Sequence, residues 1–360
     1  MNILQIMGWD DQRKSDFASS GLSSSEPGRI AAADRGKYVV LAEKGPVIAE
    51  CSGKFLHNAK SMLDMPAVGD WVAFRLEESS AIIEKILPRD SCLMRKMSSQ
   101  VYEAQVICVN LDKLFIVTTV GRDLNCRRIQ RYLAASFAAG ANPLVVVNKR
   151  DIPHRWEDIM DELKEISHAT EIITTSTIEE NGLSEMTSHI LPGETIALVG
   201  SSGVGKSSII NRLIDQERQE TAEVRPSDLK GRHRTARREL IVAPGDFMVI
   251  DTPGMREFGL WDVGEGLDEL FSEIAALSTL CQFRDCSHGI EPGCAVVKAV
   301  EEGLLPRTRL ESYVKLKAEQ SYTAEKALQR DGKQTKRRKQ IAKDKRKRMK
   351  THKKLGLKDN

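Results

Sequence analysis

The chain has 360 residues, room for two to three domains, and its 41% hydrophobic fraction supports ordinary cores and excludes global disorder. The net charge of +3 is unevenly held: residues 331–360 carry 14 Lys/Arg against 3 Asp/Glu, a net +11, which leaves an acidic body of −8. That division points to a polyanionic partner for the tail, and no apolar run approaches the ~20 residues of a membrane span.

Residues 10–28 are rich in Ser, Asp and Gly and read as an irregular leader, assigned to 1–36. Met1 to Asp11 lacks a basic segment and holds Asp10 and Asp11, so no secretory signal is expected. The expected compartment is a reducing cytoplasm, where the seven cysteines serve as thiols or metal ligands rather than disulfides. Short strand-like runs come next at Lys37–Ala42, Pro46–Cys51, Val68–Phe74 and Ala81–Leu87, with turns at Lys44-Gly45-Pro46 and Val68-Gly69-Asp70. Close spacing suggests a small all-β barrel of the oligonucleotide-binding type over 37–98.

From residue 113 the texture changes. Apolar runs at Leu114–Val120, Leu144–Asn148, Glu171–Thr174, Ile196–Gly200 and Phe247–Asp251 alternate with helical stretches at Arg128–Ala139, Trp156–Ser167, Lys206–Ile214 and Leu267–Leu277. Buried runs between amphipathic helices indicate a mostly parallel sheet covered on both faces, assigned to 99–264.

Gly200-Ser201-Ser202-Gly203-Val204-Gly205-Lys206-Ser207 matches G-x-x-x-x-G-K-[ST] in full, between an apolar strand and a helical run. In that context backbone N–H groups close around phosphates, Lys206 reaches the β/γ-phosphates and the Ser207 hydroxyl ligates Mg²⁺; Ser208 completes the candidate set. Asn148-Lys149-Arg150-Asp151 comes directly after another buried strand. The Asp151 carboxylate can accept from guanine N1–H and its exocyclic amine, a donor pair adenine lacks, so a general ATPase is disfavoured. Asn148 would brace the loop and Lys149 cover the base, and Arg150 is counted with them in the candidate set. Ser176, within Thr175-Ser176-Thr177, is a candidate second base contact. Asp251 begins an Asp-Thr-Pro-Gly segment whose carboxylate can hold Mg²⁺ and whose Gly254 N–H can meet the γ-phosphate.

The order of these motifs is unusual. Regulatory GTPases run phosphate loop, switch threonine, D-x-x-G and then N-K-x-D, whereas here N-K-x-D comes first. A sheet accepts this when its ends lie close in space. The chain therefore resembles the circularly permuted GTPases and, among them, the ribosome small-subunit-dependent GTPase A family. The residues carrying the likeness are Val68–Val72, Asn148–Asp151, Gly200–Ser208, Lys230–His233, Asp251–Trp261 and Glu291–Val296, within about residues 30–315, and Gly8-Trp9-Asp10 also resembles the family's leader. The resemblance implies a multidomain chain with an OB-fold barrel, a permuted α/β GTPase domain and a small α-rich zinc-binding domain. It implies GTP hydrolysis to GDP, stimulated by the small ribosomal subunit and its rRNA during late maturation. The family's threonine run is here Arg234-Thr235-Ala236, which makes Thr235 the switch candidate. Ras-like hydrolases place a water-orienting Gln after D-x-x-G; here Met255 stands there, so intrinsic turnover is expected to be slow, with His233 the candidate for positioning water. A rival reading is an RNA-binding assembly scaffold whose GTP site times release.

Cys281-x₄-Cys286-x-His288-x₅-Cys294, within the span 265–325, offers three thiolates and one imidazole. A closed set of soft ligands suits one structural Zn²⁺ per chain. The basic tail, 326–360, holds no Phe, Trp or Tyr, which favours phosphate contact over base stacking. A monomer with no membrane attachment is expected.

Overall fold

The computed structural model of the chain describes residues 2–22, 24–78, 80–96, 104–166, 170–214, 238–251, 263–289 and 291–322. Two short helices occupy the leader, α1 (Ile3–Ile6) and α2 (Asp11–Ala18). This corrects the reading of 1–36 as irregular. Asp10, one of the polar residues that suggested a loop, is a helix cap that accepts from the Arg13 N–H, and Asn2 caps α1 by accepting from the Leu4 N–H. The same stretch also contains the whole of a strand, β1 (Glu26–Asp34).

That strand opens a five-stranded barrel with β2 (Lys37–Ala42), β3 (Gly45–Cys51), β4 (Trp71–Leu76) and β5 (Ala81–Ile86), and a helix, α3 (Gly53–Asn58), comes after β3. The strand order is β1-β2-β3-β5-β4, and pairing of β4 with β1 closes it, so the barrel has no free edge. Period-two alternation sends Tyr38, Val40 and Ala42 of β2 inward onto Ile30, Val72, Phe74 and Ile83. At Gly28 a Cβ would lie 2.4 Å from Val40 Cγ1, so only glycine lets the strands approach here.

A buried polar knot ties the barrel to the rest of the chain. Arg29, on β1, is 2% exposed; it donates to the Gly69 carbonyl at 3.2 Å, to the Asn110 carbonyl at 3.0 Å and to the Met7 carbonyl, and stacks on Trp71. Fully buried Asp70 takes both arms of Arg89 at 2.7 Å, and Arg89 also donates to the carbonyls of Leu63 and Met65. Burial pushes the Asp70 carboxyl up and Arg89 pulls against it. The Val-Gly-Asp-Trp-Val segment thus holds leader, barrel and the next hairpin together. That hairpin pairs β6 (Cys92–Lys96) with β7 (Ala104–Val109).

Through β12 (Glu239–Ala243), which pairs with β1 at Glu239 and Ala32, the barrel's sheet continues into an α/β part with β8 (Lys113–Thr119), β9 (Asn142–Asn148), β10 (Ile172–Thr175), β11 (Thr195–Val199) and β13 (Phe247–Asp251). Its order is β10-β9-β8-β11-β13-β12, parallel except for β12. Each central strand feeds two cores. Leu114, Ile116, Val145, Val147, Ala197 and Val199 face α4 (Cys126–Ala139), while Phe115, Val117, Leu144, Val146, Ile196 and Leu198 face α7 (Lys206–Ile214). Helix α5 (Trp156–Ile166) and the short α6 (Ser184–Ser188) complete the crossovers. The chain steps outward from β8 to β10, then returns to β11 on the other side of β8. This reversal is a topological switch point, where open α/β sheets bind ligands beyond the strand C-termini.

Helices α8 (Gly264–Leu270), α9 (Ser272–Ser278), α10 (Ala295–Glu301) and a further helix over 307–322 form the C-terminal region. Gly266 lets α8 sit against α4, since a Cβ would lie 2.0 Å from the Ala134 carbonyl oxygen. Among the described residues no helix is long and apolar enough to cross a membrane.

Candidate nucleotide and metal sites

Four segments converge beyond the C-terminal ends of the parallel strands. The loop Gly200–Gly205 leaves fully buried β11 and leads into α7, with Val204 plugged into the core. Its glycines are required by geometry: Gly203 and Gly205 have φ of 86° and 100°. A Cβ at Gly205 would lie 2.2 Å from Asn148 Nδ2, and one at Gly200 would lie 2.1 Å from the Val117 carbonyl oxygen. Ser201 and Ser202 stand on the open side, and Ser207 and Ser208 are exposed on the first turn of α7. Lys206 reaches back to the loop, its Nζ donating to the carbonyls of Gly200 and Ser201 at 2.8 and 2.6 Å. Burial lowers the Lys206 pKa and raises that of Asp251, at the end of β13, and the attraction between them opposes both shifts. A half-buried cation and anion are therefore set at the mouth of the phosphate loop.

Asn148, at the end of β9, is fully buried and joins two loops. Its Nδ2 donates to the Val204 carbonyl at 2.8 Å, while its Oδ1 accepts from Thr175 Oγ1 at 3.1 Å and its carbonyl from Thr119 Oγ1 at 3.0 Å. Lys149, next along the chain, has φ 66° and donates to the Gly203 carbonyl at 2.9 Å. Asp151 is exposed, with Oδ1 accepting from Ser176 Oγ at 2.6 Å. Ser176 itself is buried, and its Oγ accepts from the N–H groups of Ile178 and Glu179. Arg150 is turned away to Glu179, with contacts of 2.7 and 2.6 Å. The structure thus brings Asn148–Asp151, Ser176, Gly200–Ser208 and Asp251 to one end of one sheet. His233, Thr235, Gly254 and Met255 lie outside the described residues, as does the basic tail.

Sequence reasoning missed the struts of this site. Arg212 of α7 donates to the carbonyls of Thr177 and Glu180, tying the phosphate-loop helix to the loop that carries Ser176. Gly182 admits the Ser176 carbonyl, which would stand 2.0 Å from a Cβ there. An arginine on a helix and a glycine in a loop carry no motif, so their sequence signal was nil.

The second cluster lies between α9 and α10. Ligand atoms of Cys281, Cys286, His288 and Cys294 all fall within 4.8 Å of one another. Cys281 and Cys294 sulfurs are 3.9 Å apart, and His288 Nδ1 is 3.7 and 3.5 Å from them. A tetrahedral ion with metal–sulfur bonds of about 2.3 Å places its sulfurs about 3.8 Å apart, so the set fits a closed four-ligand site. Burial raises the Cys281 thiol pKa, but the N–H groups of Ala295 and Val296 and the neighbouring cysteines outweigh it and lower the result, which favours thiolate.

Strands, loops and helices in this order define a phosphate-loop nucleotide-binding protein of circularly permuted connectivity. A family model described as RsgA GTPase matches residues 86–261, and the Small ribosomal subunit biogenesis GTPase RsgA of Opitutus terrae is 40% identical over 89% of this chain and 90% of that protein. The chain belongs to the RsgA GTPase family. The protein of the same name from Methanosarcina acetivorans is 40% identical over 89% of this chain and 86% of its own length. YjeQ from Thermotoga maritima matches in structure with a TM-score of 0.63 at 27% identity, covering 82% of this chain and 98% of that one. YloQ, described as a circularly permuted GTPase, matches with a TM-score of 0.61 at 26% identity, covering 83% and 96%. An ABC transporter model also matches residues 183–355; that range contains the phosphate loop but not Asn148–Asp151.

Proposed function

We propose that this chain hydrolyses GTP to GDP and phosphate while bound to the small ribosomal subunit, late in its maturation, and that the subunit stimulates the reaction. One observation supports this most: Asn148 locks the Asn-Lys-Arg-Asp loop to the phosphate loop, in a chain 40% identical to relatives named for small-subunit biogenesis. Asp151 accepts from guanine N1–H and its amine, Ser176 holds that carboxylate in place, and Lys149 lies along the base. Backbone N–H groups of Gly200–Ser207 and the Lys206 ammonium hold the β/γ-phosphates. Ser207 and Asp251 are the residues to hold Mg²⁺, which neutralises charge between those phosphates. His233 and Thr235 are proposed for positioning water and completing the switch. Cys281, Cys286, His288 and Cys294 hold one structural Zn²⁺, with no open position for catalysis.

The test is GTP turnover by the full-length protein, titrated with purified small subunits. Partner-supplied arginines elsewhere give roughly 10³–10⁵-fold stimulation; an RNA partner that orders the chain's own switch is expected to give about 10–10³-fold. Large subunits should give none. His233→Ala should lose most of the stimulated rate and keep GTP and subunit binding. Absence of stimulation in the wild type would replace the stimulated enzyme with an assembly scaffold timed by GTP.

A further inference from the structure

We infer that His288 enters the metal site through Nδ1, and that Ser278, at the end of α9, is the positioning residue that fixes this choice. The inference rests on the metal reading of the Cys281–Cys294 cluster and on where the protons must lie. Ser278 Oγ is 2.7 Å from the carbonyl oxygen of Ile274, one turn back along α9. A carbonyl only accepts, so the single hydroxyl proton of Ser278 points there. The same oxygen stands 3.0 Å from His288 Nε2. With its proton committed, Oγ can only accept from the ring, so Nε2 carries the hydrogen. A neutral imidazole has one N–H, which leaves the lone pair on Nδ1. Nδ1 is the nitrogen that faces the sulfurs, 3.7 Å from Cys281 and 3.5 Å from Cys294.

A second device holds the backbone that presents the ring. His288 has φ 61°, a left-handed conformation uncommon outside glycine. Its two neighbours are bound by one carboxylate: Glu291 accepts from the Ser287 N–H at 3.0 Å and the Gly289 N–H at 2.9 Å, and also from the Ser287 hydroxyl. Glu291 clamps the turn and Ser278 orients the ring within it. Metal-bound histidines characteristically donate their other N–H to a fixed acceptor, which sets tautomer and direction. Here the acceptor is a helix hydroxyl, so the metal loop is hooked to α9 as well as to the start of α10.

The experiment uses the full-length protein with isotope-labelled histidine, loaded with zinc and then with cadmium in its place. Proton–nitrogen correlation spectra are expected to show His288 with hydrogen on Nε2 and metal coupling at Nδ1. Zinc affinity, read by chelator competition, should fall about 10–100-fold in Ser278→Ala and be kept in Ser278→Thr, whose hydroxyl can make the same back-bond to Ile274. Coupling at Nε2, or unchanged affinity in Ser278→Ala, overturns the inference while leaving the metal site standing. Protein that takes up no zinc under reducing conditions removes the metal reading and this inference with it.

Discussion

Gly205 shows how little freedom the nucleotide site leaves to single residues. Its φ of 100° disfavours any side chain, and a Cβ would drive into Asn148 Nδ2 at 2.2 Å. Gly205→Ala should therefore displace the buried side chain that bonds to both Val204 and Thr175. The strained backbone alone costs about 1–3 kcal/mol, so GTP affinity should fall about tenfold or more by equilibrium titration. Asp151→Asn is a different lesion in the same site. It replaces an acceptor with an amide that mismatches guanine and weakens the hold of Ser176. Hydrogen bonds to charged groups contribute about 1.5–3 kcal/mol, so GTP affinity should drop about 10–100-fold, while xanthosine nucleotides should bind better. Equal competition of GTP and ATP for the wild type would show the guanine assignment to be mistaken.

At the scale of elements, legibility tracked chemistry. Strands β8, β9, β11 and β13 announced themselves as apolar runs because both faces are buried, and the loops after them carried phosphate-loop and guanine motifs that need specific residue types. Strand β1 did not: Glu-Pro-Gly-Arg-Ile-Ala-Ala-Ala-Asp has turn residues at its start and small alanines where larger strand formers are usual. It forms because barrel closure supplies partners on both edges. Ser278 was equally silent, since a serine ending a helix says nothing about a histidine ten residues on. The junction gives a measurable case of the same kind. Arg89→Met would leave Asp70 buried without its counter-ion and free the segment around Leu63 and Met65. Removing one partner of a buried pair costs about 3–5 kcal/mol, to be read from denaturant unfolding. Asp70→Asn in the same background should recover part of it. Arg89→Lys should not rescue, because an ammonium cannot span both carboxylate oxygens and two carbonyls.

Across the whole molecule the charge is divided: −8 in residues 1–330 and +11 in residues 331–360. An acidic body is repelled by RNA, so a basic appendage is the part suited to hold it near phosphates. The metal cluster belongs to the C-terminal end of the body, and chelation should loosen this region while leaving GTP binding intact, because the nucleotide loops hang on the sheet and not on α9 or α10. The tail itself offers a sharper test. Its partner is proposed to be subunit RNA, and the absence of Phe, Trp and Tyr from it leaves phosphate neutralisation as the means of attachment. Each Lys or Arg that neutralises a phosphate releases counter-ions, so the logarithm of affinity falls with the logarithm of salt by about 0.7–0.9 per contact. Deleting residues 331–360 should weaken binding to small subunits at low salt and flatten that slope by several times this amount. Intrinsic GTP turnover should not change, since Asn148–Asp151, Ser176, Gly200–Ser208 and Asp251 are all positioned by the sheet. Affinity should converge for full-length and truncated proteins as salt rises, because the lost term is the screened one. An unchanged slope would make the tail a solvated bystander and move RNA recognition onto the barrel and the metal-bearing region.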